Sequence, residues 1–333
     1  MERESLPPAG RFNHCATVLG FEDGLLVAYY AGTAECQDDQ HVVLTFKRDG
    51  RWIDLIKLEN KTGNPLLFKF EDKTYLAYSR FEKDCPGNLV KKWAYCSLWC
   101  REIVMEEGHP GVGEIMPTFK HPQLGYLFRA APLYLEGRTI LPLYREEGSY
   151  GAAYEWMGDH LKLVGKIGYG CNSTMQPTLW HDGTAFHSLS RNCQPQVYGG
   201  YCWHSTSPDL ERWSHPELEQ SLDNNHNSVA VVNDGQKDPL VIWNVGRSRN
   251  DLRLGKLCGH TLGRSLVTLN GSFLGTQGYG AYPNYCFYNE ELHLVWTDLM
   301  DGRHTICHMR LEEKEWKKLR NVQSAVRSPS RYP

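Results

Sequence analysis

The sequence lacks any long apolar run, since nothing in it approaches the ~18 residues that a membrane-spanning helix needs. It also lacks a large charge of either sign, because the formal net charge is −3. Nucleic acid and anionic membrane surfaces are therefore excluded as main partners. The N-terminus has no hydrophobic signal core, which predicts a cytoplasmic or otherwise reducing compartment.

A cysteine pattern typical of a metal site or a disulfide framework is missing as well. The 11 cysteines are odd in number, and the chain is far longer than a disulfide-stapled scaffold. Cys96 and Cys100 have no second pair at zinc-ligand spacing. We therefore predict mostly buried thiols, with no metal and no cofactor. Helical periodicity is weak, whereas aromatic residues reach 12%, which favours strands packed around a core.

A two-strand pattern recurs along the chain, in which an apolar run, a short acidic or glycine turn and a second apolar run follow one another. The six turns are Asp23-Gly24, Asp72-Lys73, Glu136-Gly137, Asp182-Gly183, Asp234-Gly235 and Glu290-Glu291. They recur roughly every 50 residues, close to the length of one propeller blade. We predict an all-β fold, a six-bladed β-propeller that forms one domain over residues 1–322, followed by a polar tail at 323–333.

The repeat predicts which residues face each other. The start of the first strand and the end of the second lie at the same edge of an antiparallel hairpin, and in a propeller that edge faces a central channel. The first predicted ring is His14, Asn64, Arg129, Gln176, Asn227 and Tyr282. The second is Tyr30, Arg80, Arg145 with Glu146, Arg191, Asn244 and Asp298, with Arg249 and Arg303 just beyond the last two. Nearly all members are polar or ionisable, which favours a functional site.

Arginines dominate these rings, and guanidinium groups in a concave site repel one another unless an anion neutralises them. The functional interpretation is a pocket for a carboxylate or sulfate on a sugar. Its candidate ligands are Arg80, Arg129, Arg191, Arg249 and Arg303, with Gln176 and Asn227 as partners of the sugar hydroxyls. The alternative is a set of salt bridges between blades, to Glu146, Glu147, Asp298 and Asp301.

Four residues are candidates for covalent or acid–base chemistry. Tyr282 is a candidate nucleophile, because neighbouring arginines stabilise a phenolate. His14 is either a base, a donor to the substrate or a structural histidine. A hydrolase also needs an acid to protonate the leaving oxygen, and Glu35 and Asp39, in the loop after the first hairpin, are the candidates.

The turn at 207–213 has a structural interpretation instead. Asp209 lies two residues after Ser207 and four before Trp213. An aspartate in this position bonds the backbone amides of the turn while the tryptophan packs into the blade. We expect this turn to stabilise the fold and to take no part in catalysis.

Short motifs occur in one order along the chain. They are His14-Cys-Ala-Thr, Gly32-Thr-Ala-Glu, Asn64-Pro-Leu-Leu-Phe, Gly137-Arg-Thr-Ile-Leu-Pro-Leu-Tyr, Gln176-Pro, Asn227-Ser, Arg249-Asn-Asp-Leu, Tyr282-Pro and Ile306-Cys-His. The ordered set resembles the sialidase superfamily, in particular its BNR repeat-like, sialidase-like branch. The resemblance implies a six-bladed propeller that releases terminal sialic acid with retention of configuration, and in which three arginines grip the sugar carboxylate. Arg191 resembles the second arginine, Arg249 the third and Tyr282 the nucleophile.

The chain departs from the family pattern at other positions. His14 stands where the first arginine is expected and Gln176 where the activating glutamate is expected, while Glu35 and Asp39 only lie near the expected aspartate. A glutamine cannot take a proton from tyrosine. Three functions therefore stay open: an exo-sialidase-like glycoside hydrolase acting on a terminal acidic sugar, a polysaccharide lyase acting on a uronate, and a glycan-binding propeller without turnover. Each has an acidic glycan or sialoglycoconjugate as its partner.

Overall fold

The computed structural model describes residues 2–82, 89–116, 119, 121, 123–224, 226–245, 249–258, 261–262, 267–269 and 279–321. Strands dominate, and the helices in these ranges are α1 Leu89–Ala94, α2 Pro195–Tyr198 and α3 Glu313–Arg320. None of the described helices has both the length and the apolar character needed to traverse a bilayer. The predicted tail at 323–333 lies outside the described residues.

The described strands form five hydrogen-bonded sheets. The largest contains β1 Glu2–Ser5, β2 Phe12–Phe21, β3 Gly24–Gly32, β4 His41–Arg48 and β5 Arg51–Asn60, together with β24 Ala281–Tyr288, β25 Glu291–Met300 and β26 Arg303–Leu311. The second contains β6 Thr62–Phe70, β7 Lys73–Phe81, β8 Cys96–Glu106 and β9 His109–Ile115. The third contains β10 Tyr126–Phe128, β11 Leu133–Leu135, β12 Arg138–Arg145, β13 Tyr150–Trp156 and β14 Leu161–Ile167.

The remaining two sheets follow the same order along the chain. The fourth contains β15 Thr174–His181, β16 Phe186–Asn192, β17 Tyr201–Ser207 and β18 Glu217–Asp223. The fifth contains β19 Ala230–Val232, β20 Leu240–Asn244, β21 Leu252–Cys258, β22 Thr261–Leu262 and β23 Val267–Thr268. All six predicted hairpins are present, because each acidic or glycine turn joins two antiparallel strands.

The fold is an all-β propeller, but the predicted six separate blades are not what the sheets show. Four sheets of four or five strands stand alone, whereas the first and largest sheet has eight strands. Its two halves are joined where Phe12 of β2 pairs in parallel with His304 of β26. The sequence pattern counts hairpins and cannot detect this long-range hydrogen bonding, so the predicted number of separate blades was wrong.

The N-terminal strand ties the two ends of the chain together. β1 pairs antiparallel with β26, from Glu2 opposite Arg310 to Ser5 opposite Cys307. Glu4 of β1 also accepts a hydrogen bond from His308 Nδ1 at 2.7 Å. Since the first and last hairpins are thereby held in one sheet, the ring is closed by backbone pairing as well as by side-chain packing.

Apolar and aromatic side chains fill the space between neighbouring sheets. Between the second and third sheets, Phe68 stacks on Tyr75 with ring centres 5.2 Å apart, and the fully buried Trp156 meets Phe68 edge-on at 6.0 Å. Burying one such side chain stabilises the fold by about 1.5–3 kcal/mol. Seven of the ten described cysteines are buried within these layers, as predicted.

Four first strands carry a bulge at equivalent positions. The register shifts at residues 15–16 of β2, 64–65 of β6, 176–177 of β15 and 282–283 of β24. The first bulged residue has a left-handed backbone each time, with φ of 53° at Cys15, 44° at Asn64, 51° at Gln176 and 54° at Tyr282. For residues other than glycine this conformation is strained by about 1–3 kcal/mol, and such strain concentrates at functional sites.

Candidate active site

The four left-handed residues line one cavity of about 600 Å³. The first strands of neighbouring hairpins contact each other, so their bulges surround a common channel. The first predicted ring was off by one residue in the first hairpin, since Cys15, not His14, is the equivalent of Asn64, Gln176 and Tyr282. His14 nevertheless lies on the cavity wall beside it.

Arg191 and Arg249 both reach Tyr282 in this cavity. Nη1 of Arg191 donates to the Tyr282 hydroxyl oxygen at 3.4 Å. The Arg249 guanidinium lies 5.1 Å from the centre of the Tyr282 ring, and its Nη1 donates to the Tyr279 hydroxyl oxygen at 2.8 Å. Three residues that are far apart in sequence therefore present two guanidinium groups and a phenol to the same space.

The two cavity arginines have no ion-pair partner among the described residues. No carboxylate in the described ranges forms an ion pair with Arg191 or Arg249, although Arg191 is only 6% exposed. Arg145 does form a salt bridge, with its Nη2 2.5 Å from Glu147 Oε2, but this pair lies within one hairpin and not between blades. A concave site with unpaired guanidinium groups favours an anionic ligand.

His14 and His304 also line the cavity, and they add no positive charge to it at neutral pH. Burial, followed by His304 and the arginines 249, 129 and 191, lowers the pKa of His14 well below its ordinary value. Burial and then Arg249 lower the pKa of His304. The His14 ring meets the Tyr282 ring edge-on at 4.6 Å, and its buried Nδ1 has no hydrogen-bond partner. His14 is therefore a neutral imidazole with a free nitrogen beside the phenol.

Arg129 and Asn227 lie behind the cavity wall, not on it. Arg129 is 2% exposed and donates to the backbone carbonyls of Ala16 at 3.3 Å, of Pro283 at 3.0 Å and of Tyr282. It therefore supports the strained backbone under the phenol. Asn227 accepts a hydrogen bond from Arg249 Nε at 3.0 Å through Oδ1, which orients that guanidinium.

Two carboxylates reach the cavity. Glu35 was predicted, and it accepts a hydrogen bond from the Tyr30 hydroxyl at 3.2 Å. Glu146 follows β12 directly, and the sequence suggested it only as a salt-bridge partner. Burial raises the pKa of Glu146 to about 7; Arg191 opposes that increase and Glu35 adds to it. Gln176 also lines the cavity, and its amide is next to the Tyr144 hydroxyl.

Besides Arg129 and Asn227, three further predicted site residues do not line this cavity. Arg80 stacks on the Trp99 ring at 4.5 Å, Arg303 is exposed at the start of β26, and Asp39 accepts hydrogen bonds from Thr33 N at 2.9 Å and Thr33 Oγ1 at 3.0 Å. Arg80 does not reach the cavity because of its register within the hairpin. Arg191 pairs with Met175, the residue directly before the bulge of β15, whereas Arg80 pairs with Thr62, which is one residue further from the bulge of β6. The side chain of Arg80 therefore faces the other side of its sheet.

The aspartate-centred turn has the structural arrangement that was expected. Asp209 Oδ1 accepts the backbone N–H groups of Glu211 at 3.0 Å and of Arg212 at 2.9 Å. Trp213 donates from Nε1 to the Leu210 carbonyl at 2.7 Å and packs against the core beneath.

A second cavity of about 450 Å³ lies nearer the other end of the first strands. Its wall is mainly apolar, with Val18, Leu67 and Phe287 among its members, and Lys69 is the one charged residue among its described lining. Its described lining brings together no set of charged side chains. The candidate active site is therefore the cavity that holds the two arginines and Tyr282.

Comparison with other proteins supports the fold. Neither protein-family models nor curated protein sequences give a match. Among solved structures, the chain is similar to Trypanosoma rangeli sialidase in complex with sialic acid, with a TM-score of 0.68 and 13% identity over 93% of this chain and 56% of that one. A protein of unknown function from Dyadobacter fermentans has a TM-score of 0.69 and 13% identity, over 93% of this chain and 98% of that one.

An α-L-arabinofuranosidase from Fusarium graminearum, in complex with an iminosugar inhibitor, is also similar. Its TM-score is 0.58 and its identity 10%, over 91% of this chain and 94% of that one. The chain spans little more than half the length of the Trypanosoma sialidase. At these identities the likeness concerns the fold, which is that of a sialidase-like β-propeller.

Proposed function

We propose that this protein is an exo-acting glycoside hydrolase that releases a terminal acidic sugar, sialic acid or a relative of it. The observation that carries this proposal is the meeting of Arg191, Arg249 and Tyr282 in one cavity in which no described carboxylate pairs with either arginine. Two guanidinium groups bind a sugar carboxylate through charge-assisted, bidentate hydrogen bonds. That carboxylate holds the anomeric centre beside the phenol.

A phenol suits this centre better than a carboxylate nucleophile does. The anomeric carbon of such a sugar carries its own carboxylate, which repels a second negative charge, whereas a neutral phenol approaches freely. His14 is the proton acceptor in this proposal, because its neutral ring stands edge-on to Tyr282 and its Nδ1 has no partner. In this proposal His14 takes the place of the glutamate that Gln176 cannot supply, although the burial and the arginines that lower its pKa make it a weak base.

We also propose that the ring consists of six units, although only four of them form separate sheets. The eight-stranded sheet divides at the Phe12–His304 pair into two four-stranded halves, each with its own hairpin and its own bulge. Six units leave room for a channel wide enough for a sugar.

Gln176 favours one alternative, a propeller that binds an acidic glycan without cleaving it. Its amide lies on the cavity wall where a proton acceptor for Tyr282 would be expected. In this alternative the arginines hold the carboxylate and the phenol only donates a hydrogen bond.

Hydrolysis of a fluorogenic aryl sialoside, together with calorimetric binding of the 2,3-dehydrated sugar acid, tests the proposal. The wild type should hydrolyse the sialoside, and Tyr282→Phe should lose at least ~10³-fold in kcat while still binding the dehydrated acid. The matched control is Tyr288→Phe, which removes a phenol that donates to the Glu22 carbonyl at 2.9 Å outside this cavity; its activity should not change.

The two readouts separate the alternatives. Binding of the dehydrated acid without any turnover by the wild type would establish the non-catalytic alternative. Neither binding nor turnover across several acidic sugars would refute the proposal altogether.

A further inference from the structure

Glu146 is a carboxyl group of the cavity that the proposed mechanism has not yet used. It follows the last residue of β12, so the strand end directs it toward the channel, and it shares the cavity with Arg191 and Tyr282. Its side chain accepts no hydrogen bond and forms no ion pair within the described residues. The next residue, Glu147, is exposed and paired with Arg145.

The surroundings of Glu146 favour its protonated form. The charged and titratable groups that act on it from neighbouring elements are Arg191 of β16 and Glu35 from the loop after β3, and it in turn acts on Tyr144 and Cys193. Burial raises its pKa to about 7, and Glu35 adds to this increase. A carboxylic acid that keeps its proton near neutral pH is suited to general acid catalysis.

Glu35, the other carboxylate of the cavity, is less suited to that role. The Tyr30 hydroxyl donates to its Oε1 at 3.2 Å, so this carboxyl group is already engaged as a hydrogen-bond acceptor. The two acids therefore differ in environment. Glu35 is held as an acceptor, whereas Glu146 is half-buried and its side chain accepts no hydrogen bond within the described residues. Such a difference between paired acids separates their roles in glycosidases.

We propose that Glu146 is the general acid–base of this site and protonates the oxygen of the departing group. This inference rests on the proposed function, which needs a proton donor and which neither Gln176 nor Asp39 supplies.

The reaction balances with the residues of the cavity. The Glu146 carboxyl gives its proton to the glycosidic oxygen as the bond between that oxygen and the anomeric carbon breaks, and the bonding electron pair leaves with the alcohol. The Tyr282 oxygen bonds to the anomeric carbon, and its proton passes to His14. Water then attacks the anomeric carbon and gives a proton to the Glu146 carboxylate. The Tyr282 oxygen departs and takes its proton back from His14.

Variation of the leaving group tests this role. Glu146→Gln keeps the size of the side chain and removes its acidity, and Glu147→Gln is the matched control. With an aryl glycoside, whose leaving group needs little protonation, Glu146→Gln should lose no more than ~10-fold in kcat/KM. With an alkyl or disaccharide glycoside of the same acidic sugar, it should lose ~10²–10⁴-fold. Glu147→Gln should match the wild type on both substrates.

The pH profile gives a second readout. The wild-type kcat/KM for the alkyl glycoside should fall on the alkaline side as the acid near pH 7 loses its proton, and this limb should be absent in Glu146→Gln. Equal losses on both leaving groups, or an unchanged alkaline limb, would overturn the assignment of Glu146 while leaving the hydrolase proposal intact. Absence of wild-type turnover on every substrate would instead overturn the proposed function, and the role of Glu146 with it.

Discussion

Arg129 and Arg191 are two buried arginines with opposite roles, and replacing each with methionine separates stability from binding. Arg129 donates to three backbone carbonyls, those of Ala16, Tyr282 and Pro283. Hydrogen bonds to a charged group contribute about 1.5–3 kcal/mol each, and two of these three share one nitrogen, so we expect Arg129→Met to lower the free energy of unfolding by about 3–5 kcal/mol. The buried carbonyls that it leaves unpaired account for much of that loss.

Arg191→Met should behave differently. Its guanidinium makes one long hydrogen bond, 3.4 Å to the Tyr282 hydroxyl, and faces the cavity beside another cation. Its loss should change the free energy of unfolding by no more than about 1 kcal/mol, because little is left unpaired and repulsion with Arg249 is relieved.

Urea denaturation followed by tryptophan fluorescence measures both effects, and calorimetry with the dehydrated sugar acid measures binding. Arg191→Met should bind at least ~10-fold more weakly while folding like the wild type. The reasoning is refuted if Arg129→Met unfolds within 1 kcal/mol of the wild type, or if Arg191→Met is the more destabilised of the two.

Two further predictions concern the closure of the ring and the arginine clamp, by which we mean Arg191 and Arg249. Burial acts to raise the pKa of Glu4, but His308 and Lys47 outweigh it and lower that pKa to about 2; the stability it contributes is therefore present above pH ~4.5 and is lost as the pH falls toward 2. Glu4→Gln should be less stable than the wild type at pH 7 and should lose less on acidification, and parallel curves of melting temperature against pH would contradict this. Asn227→Ala removes the acceptor of Arg249 Nε and should weaken binding of the acidic sugar by ~10–100-fold without affecting the melting temperature by more than a few degrees. Equal affinity for the acid in this variant and the wild type would show that Asn227 does not orient the clamp.

The hairpins could be predicted from the sequence because their signals are local. An alternating or apolar run, an acidic or glycine turn and a second run lie within about twenty residues, and strand pairing follows from the turn. The closure of the ring could not be predicted in the same way. β1 pairs with β26 and Phe12 pairs with His304, and no local pattern records contacts between the two ends of a chain.

The sequence carries a partial signal of the bulges. Asn64, Gln176 and Tyr282 each precede a proline, and each is the left-handed residue of its bulge. Proline interrupts strand pairing, so a proline at the same point of three first strands indicates an irregularity there. Cys15 is followed by alanine, and the first hairpin therefore gave no such signal. This is why His14 took the position in the predicted ring that belongs to Cys15.

Glu146 shows a different limit. It stands between Arg145 and Glu147, and these two pair with each other at the surface. In the sequence all three residues look like one solvated charge cluster, which is the commonest role for such a run. Only the end of β12 separates them, because it turns Glu146 inward and leaves its neighbours outside.

The contrast between Arg80 and Arg191 shows what the channel requires of each strand. Both arginines are the last residue but one of the second strand of a hairpin, yet one residue of register puts Arg191 beside Tyr282 and Arg80 on Trp99. Since successive side chains point to opposite faces, the bulge in the first strand decides which residue of the second faces the channel. Four strained, left-handed residues therefore do more than line the cavity. They set the register that directs Arg191 into the cavity. A substitution that removed the left-handed backbone at Gln176 would therefore displace Arg191 as well as the side-chain amide of Gln176.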